Sequence, residues 1–397
     1  LSRNAVIVAP WFGVSSGGAE IALLKIGEAL RDSGYDVEVY TSQSMAPYRS
    51  WLENTPQDGP EAYMGFPIRR FPVDEAGHDR FAAASQALAG GAVGHRFKEA
   101  FFRYGMTSSA LVEAACQLPE ETLILGGPYY QAMVHNLVAA LPGRVNVMPA
   151  FHDEPPFYFP AVGRLVRDAR SLLFLTEAEK QLAIDAHGEA MTRAKFEAPP
   201  VSLPFIDAAP ARRQEAPGLL GRVFEKYLLY VGRIDEGKNI RQLMDWHNQT
   251  CEERLRDGLP AIPLLMVGKG VETGFRSPHV KQLGYVDTEA KRQLLSDALG
   301  LVNLSLNESF SFVLFEAWQN DVPVIVHGDC KVMRDHIETG KGGYSCRTLA
   351  EYRKAIDSFE QPALRRVLGQ NGRNYAEEVC DPDRFLERLT QVLELAQ

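Results

Sequence analysis

The sequence is short of cysteine: five in 397 residues, an odd number, with no CxxC spacing. That argues against a disulfide framework and a cysteine zinc site, and fits free thiols in a reducing compartment. No apolar run reaches the eighteen or so residues of a membrane span. Basic charge is short as well. There are 42 Lys and Arg against 51 Asp and Glu, a formal net charge of −9. A nucleic-acid partner, which calls for a basic face, is therefore not expected. There is no GxGxxG and no GK[ST], so neither a dinucleotide fingerprint nor a P-loop is supported. Strict repeats and low-complexity tracts are absent too. The N-terminal LSRNAVIVAPWF enters a strand pattern at once, so no leader peptide is expected.

What is present is an ordinary globular composition, 45% hydrophobic and 23% charged, at a length that suggests two or three domains. Short apolar runs alternate with helical spacing. NAVIVA (4–9), DVEVYTS, TLILG (122–126), RVNVMP (144–149), SLLFLT (171–176) and VSLP (201–204) read as strands. A second series holds KYLLYVGR, IPLLMVG, HVKQLGYV, LGLVNLSL and VPVIVHG, with helices between them. Strands alternating with helices imply parallel βαβ units and doubly wound sheets, an α/β chain. The expected domains are 1–204, a Pro- and Ala-rich linker 205–222, and 223–381, with the helix at about 382–397 able to pack on the first. The region 45–118 is less regular. Its HRFKEAFFRYGM (95–106) is either a helix burying an aromatic face or an interfacial patch for anionic lipid or a lipid-linked acceptor.

Several strand-end loops could carry chemistry. In 230-YVGRIDEGKN-239, Arg233 and Lys238 lie at the carboxyl end of a strand, where open α/β sheets bind ligands. They either clamp a diphosphate or pair with Asp235 and Glu236 in a solvated turn. In 308-ESFSFVLFE-316, Glu308 sits at a strand exit and a helix begins near Phe310. The N–H groups of Ser311 and Phe312 would then form an anion site with the helix dipole. Glu316, about two turns on, needs a partner if buried; vicinal hydroxyls such as those of a ribose would suit it. The alternatives are a capping role for Glu308 and a solvent-facing Glu316. Gly268, in 267-VGKG-270, follows another strand. In the first half, Gly17 and Gly18 of GVSSGGAE could admit a phosphate or sugar to a helix N-terminus. His152, in FHDEPPF, lies at a strand end beside acids, as a reacting group or as a packed residue.

Together these residues resemble the retaining glycosyltransferases of the GT-B fold, in particular glycosyltransferase family 4. The resemblance rests on the Gly17-Gly18 turn, His152, the loop Val231-Gly232-Arg233 with Lys238-Asn239, and Glu308 and Glu316 followed by 323-PVIV-326. It implies two Rossmann-like domains facing each other across a cleft. It also implies a nucleoside-diphosphate sugar donor, transfer with retention, no metal and no cofactor. Arg233 and Lys238 would hold the diphosphate, Glu316 the ribose, and Glu308 the donor sugar. Tyr285 and Val286 would border the base, and His152 would sit near the sugar hydroxyls or the anomeric centre. The leaving phosphate would help deprotonate the acceptor on the same face. A glycan or lipid-linked glycan acceptor is expected, in bacterial envelope polysaccharide assembly, in the cytoplasm or on the inner face of its membrane. One departure is Ser311, where the family usually has glycine.

The alternative is a catalytically inactive nucleotide-sugar-binding or scaffold protein on the same fold. A glycoside hydrolase would need two carboxyls facing one bond, which a loop Glu308 and a helical Glu316 do not offer. A metal-dependent transferase with Asp-x-Asp would have only 381-DPD-383, which reads as a helix start. A phosphorylase-like enzyme would need an anchoring lysine for pyridoxal, for which there is no motif.

Overall fold

The structure, a computed structural model, describes residues 3–13, 17–44, 51–52, 62–92, 94–191, 195, 197, 199–204, 226–270 and 277–394. The expected linker 205–222 lies outside the described residues. The chain divides into two compact units, Leu1–Leu203 with Pro382–Gln397, and Pro204–Asp381.

The first unit contains β1 (Arg3–Ala9), α1 (Gly18–Asp32), β2 (Tyr35–Ser42), β3 (Ala62–Tyr63), β4 (Phe66–Phe71), α2 (His78–Ala89), α3 (His95–Tyr104) and α4 (Ser109–Cys116). It continues with β5 (Leu123–Gly126), α5 (Ala132–Ala140), β6 (Val145–Val147), α6 (Pro160–Asp168), β7 (Ser171–Leu172) and α7 (Glu177–His187). Its sheet runs β3-β4-β2-β1-β5-β6-β7, parallel except for the β3–β4 edge. Val6, Ile7 and Val8 are buried, as a parallel strand covered on both faces requires. Direction of progress across the sheet reverses between β1 and β5, so their carboxyl ends flank the switch-point crevice.

The second unit contains β8 (Leu228–Val231), α8 (Ile240–Arg256), β9 (Leu264–Val267), β10 (Val280–Gly284), α9 (Thr288–Asp297), β11 (Gly300–Asn303) and α10 (Phe312–Gln319). Then come β12 (Val324–His327), α11 (Lys331–Gly340), β13 (Gly343–Cys346), α12 (Leu349–Phe359) and α13 (Pro362–Val379). The last helix, α14 (Pro382–Glu394), groups with the first unit, where Arg388 donates to Ser202 Oγ at 2.9 Å. The second sheet is β10-β9-β8-β11-β12-β13, wholly parallel, with its switch point between β8 and β11.

Some expected elements differ. VSLP (201–204) is not a strand. Val201 N–H makes one rung to Phe174 O at 2.8 Å, and Ser202 then turns the chain at φ 42°. The helix expected near Phe310 begins at Phe312, because Ser311 takes a left-handed φ of 66°. The region 45–118 is more ordered than its sequence suggests, with β3, β4 and α2–α4 among its described residues. Within α3, Phe101 and Phe102 are buried, and Phe102 lies 4.1 Å from the His135 ring. That is the aromatic-face alternative, while Arg96 and Arg103 remain exposed.

Candidate functional site

In the second unit, the loops leaving β8 and β11 meet at the switch point. Lys238 Nζ lies 2.7 Å from Glu308 Oε1, with the two side chains only 20% and 12% exposed. Lys238 is presented by a short 3-10 turn, Glu236–Lys238, capped by Asp235, whose Oδ1 accepts the Lys238 N–H at 3.2 Å. Asp235 Oδ2 also takes Arg233 Nη1 at 2.9 Å. Asn239 then bends the chain at φ 54° and donates to Leu304 O at 3.0 Å, tying the β8 loop to the β11 exit. Below the loop, Tyr230 OH donates to Arg233 O. Burial, with Glu308 and Asp235 nearby, pushes that phenol far above its ordinary range. It therefore remains a donor.

The neighbouring loops approach backbone to backbone. Gly232 N–H donates to Val267 O at 2.9 Å, Ile234 N–H to Lys269 O at 3.0 Å, and Gly268 N–H to Gly284 O at 2.8 Å. A Cβ on Gly268 would collide with the Gly232 carbonyl, and one on Gly270 with the Ile234 carbonyl. Gly268 also holds φ 144°, a conformation reserved for glycine. Tyr285, 73% exposed, follows β10 with Lys269 Nζ 5.4 Å from its ring centre; Val286 beside it is half-buried.

Glu308 is anchored a second time. Asn303, the last residue of β11 and buried, donates to Glu308 Oε1 at 3.3 Å and to Ser311 Oγ at 3.1 Å. Ser311 precedes α10, so the first amides of that helix, at Phe312 and beyond, have no side-chain cap from it. Holding a non-glycine residue left-handed costs about 1–2 kcal/mol. Glu316, on α10, meets Lys291 Nζ of α9 at 2.7 Å, the pair 13% and 23% exposed. The expectation that a carboxylate here needs a partner is answered by a lysine 25 residues away. Cys330, in the loop after β12, is buried, and that burial raises its thiol to about 12, which leaves it inert.

The first unit gathers a different set. Gly17 is the N-cap of α1 and Gly18 its first residue; Glu20 in the first turn lies where a Gly17 side chain would go. His152 leaves the β6 end. Its Nδ1 is 3.3 Å from Glu154 Oε1, and the Tyr129 hydroxyl donates to the same oxygen at 2.8 Å. Burial, then Glu154, drive the Tyr129 phenol far up. Behind His152, the fully buried Glu179 accepts Phe151 N–H at 2.8 Å and Leu175 N–H at 2.7 Å. Burial pushes its carboxyl up to about 8, against the pull of the Leu175, Phe151 and Thr176 backbone donors.

Sequence reasoning singled out Arg233, Lys238, Gly268, Glu308, Ser311, Phe312 and Glu316, and all lie at the carboxyl-end loops of one sheet or on α10. It missed Asn303, Lys291, Tyr129 and Glu179. Asn303 carried a signal, a polar residue closing an apolar strand; Thr176 and Glu179 have capping-box spacing. Lys291 carried none.

Proteins of known structure share this fold. Residues 225–361 match the family model described as glycosyl transferases group 1. No curated protein sequence matches the chain. Among solved structures, WaaG, a glycosyltransferase involved in lipopolysaccharide biosynthesis, superposes with TM-score 0.64 at 15% identity, over 94% of this chain and 95% of its own. Anabaena HepE, solved with UDP and glucose, gives 0.65 at 16%, over 99% of each. Sucrose-phosphate synthase from Thermosynechococcus elongatus gives 0.64 at 17%, over 99% and 98%. The two parallel-sheet units are the α/β architecture of the GT-B glycosyltransferases. The match over 225–361 and the fold shared with these neighbours support a glycosyltransferase of GT-B type.

Proposed function

We propose that the protein transfers a sugar, with retention and without a metal, from a nucleoside-diphosphate donor to a glycan or lipid-linked glycan acceptor. The observation that carries the donor site is the Lys238–Glu308 pair, two charges from different loops held together at the switch point of the second sheet. In this reading the donor diphosphate displaces two carboxylates. Arg233 moves from Asp235, and Lys238 from Glu308, to phosphate oxygens. Each exchange swaps one charge-assisted hydrogen bond for another. Glu308, released from Lys238 but still held by Asn303, turns to the donor sugar. Glu316 accepts the ribose hydroxyls while Lys291 fixes its carboxylate. The N–H groups opening α10 receive negative charge that grows on the phosphate as the glycosidic bond breaks. The phosphate oxygen takes the acceptor proton on the same face, which gives retention.

His152 is assigned to sugar hydroxyls. With Nδ1 turned to Glu154, Nε2 is the ring nitrogen that meets them. Tyr129 and Glu154 set that orientation. An envelope-polysaccharide role rests on the likeness to WaaG and on exposed Arg96 and Arg103 of α3, suited to an anionic surface.

The test is turnover in EDTA with UDP-glucose, GDP-mannose and ADP-glucose, each with a panel of glycan and lipid-linked glycan acceptors, reading nucleoside-diphosphate release and, by NMR, the anomeric configuration of the product. Release from one donor with the configuration kept is expected. Inversion would overturn the mechanism, and no release from any donor, with binding intact, would favour a scaffold. Sedimentation with anionic vesicles tests the membrane part; loss of that binding in Arg96→Glu/Arg103→Glu is expected.

A further inference from the structure

The departure at position 311 has a physical counterpart on the neighbouring strand. Ser311 sits at φ 66° at the entry to α10, a conformation glycine takes freely and serine does not. Its hydroxyl accepts the Asn303 amide at 3.1 Å. The same amide nitrogen reaches Glu308 Oε1 at 3.3 Å, and the Asn303 carbonyl oxygen accepts the Ser305 N–H at 3.1 Å. Asn303 is 4% exposed and Ser311 7%, so the bonds lie out of water, where an unmade partner is costly. Asn303 thus ties together the strand end, the sugar-facing carboxylate and the first residue before the helix.

We propose that Asn303 is a positioning residue for the donor site. Its side-chain amide holds Ser311 left-handed and aims Glu308, in place of a glycine at 311. The proposal rests on the donor-site reading above for its effect on substrate, but its structural half stands alone. The amide draws the Ser311 hydroxyl back onto the strand end. The path to the α10 amides then stays open despite the side chain. Because Lys238 and Asn303 share Glu308 Oε1, Asn303 keeps hold of the carboxylate when Lys238 leaves for phosphate.

The test is a double-variant cycle with Asn303→Leu and Ser311→Gly, titrated with UDP-glucose and with UDP. Asn303→Leu is expected to weaken UDP-glucose by about tenfold and UDP by less than about threefold, since Glu308 serves the sugar. A merely structural defect would weaken both equally. In a Ser311→Gly background the Asn303→Leu loss should shrink by about threefold. Strictly additive losses, or equal losses for the two ligands, overturn the proposal. If wild type binds neither ligand, the donor reading fails, and the same cycle is read in the urea unfolding midpoint. Coupling there supports the Asn303–Ser311 device; additivity overturns it.

Discussion

The two units share one architecture and finish their crevices by opposite means. In the second, the loops after β8 and β9 lie glycine against glycine, with Gly232, Gly268 and Gly270 leaving no room for a Cβ. Charged side chains then stand on a rigid backbone floor. In the first, the loops after β5 and β6 are filled with rings. Tyr129 and Phe151 are 5.0 Å apart, Phe151 and Phe157 another 5.0 Å, and the buried Glu179 ties down the backbone beside them. A backbone floor with paired ions suits a phosphate ligand, which binds N–H groups and cations. A floor of aromatic rings and carboxylates suits a neutral polyhydroxylated one.

The largest effect should come from the glycine floor. Gly268→Ala should cost at least about 3 kcal/mol in urea unfolding, from strain at φ 144° plus collision with the Gly232 carbonyl. Gly127→Ala, which in the first unit crowds the Met148 carbonyl and Cε without a positive φ, should cost clearly less. Equal costs would erase the contrast. Next in size, Lys238→Ala should weaken the nucleoside diphosphate about 100-fold, the loss of one charge-assisted bond at about 1.5–3 kcal/mol. Tyr129→Phe should leave that affinity unchanged.

A pH series sharpens the comparison further. The Glu179 carboxyl is raised to about 8 in the folded chain from an ordinary 4.5. The folded state therefore holds a proton that the unfolded state has lost. Stability from this group is complete below pH 4.5 and falls as pH rises towards 8, by at most about 1.4 kcal/mol per pH unit. His135, His247 and His336, lowered to about 4 by burial, act in the other direction. Their stability is present above 6.5 and is lost as pH falls through 4. The alkaline loss should be confined to the first unit, seen as lower amide-exchange protection factors at Phe151 and Leu175, and Glu179→Gln should abolish it. Protection factors that fall equally in β8 and β11 would refute this. The smallest effect is at Glu316. Glu316→Gln should weaken UDP about fivefold, the worth of one hydrogen bond, yet leave 2′-deoxy-UDP nearly unchanged. Equal losses would reject the ribose role.

The second unit was the more legible of the two because its chemistry is local. Arg233 and Lys238 stand five residues apart on one loop, and Glu308 and Glu316 on one loop and helix, so sequence spacing carries the geometry. The parallel sheets were legible for the same reason, most of their strands being short apolar runs. Lys291 reaches Glu316 from another helix, and Glu179 reaches Phe151 across 28 positions. Such partners are chosen by packing, which periodicity does not encode. Ser311 is intermediate. It stood out as an odd residue, but only its φ and its bond to Asn303 show how the chain accommodates it.

The central claim is that the β8–β11 crevice holds a nucleoside diphosphate on Arg233 and Lys238. Its direct test is calorimetric titration of UDP, GDP and ADP, in EDTA, into the wild type and Lys238→Ala. The account predicts that one of the three binds the wild type and binds the variant about 100-fold more weakly. Equal binding to both proteins, or no binding of any of the three to the wild type, would contradict it.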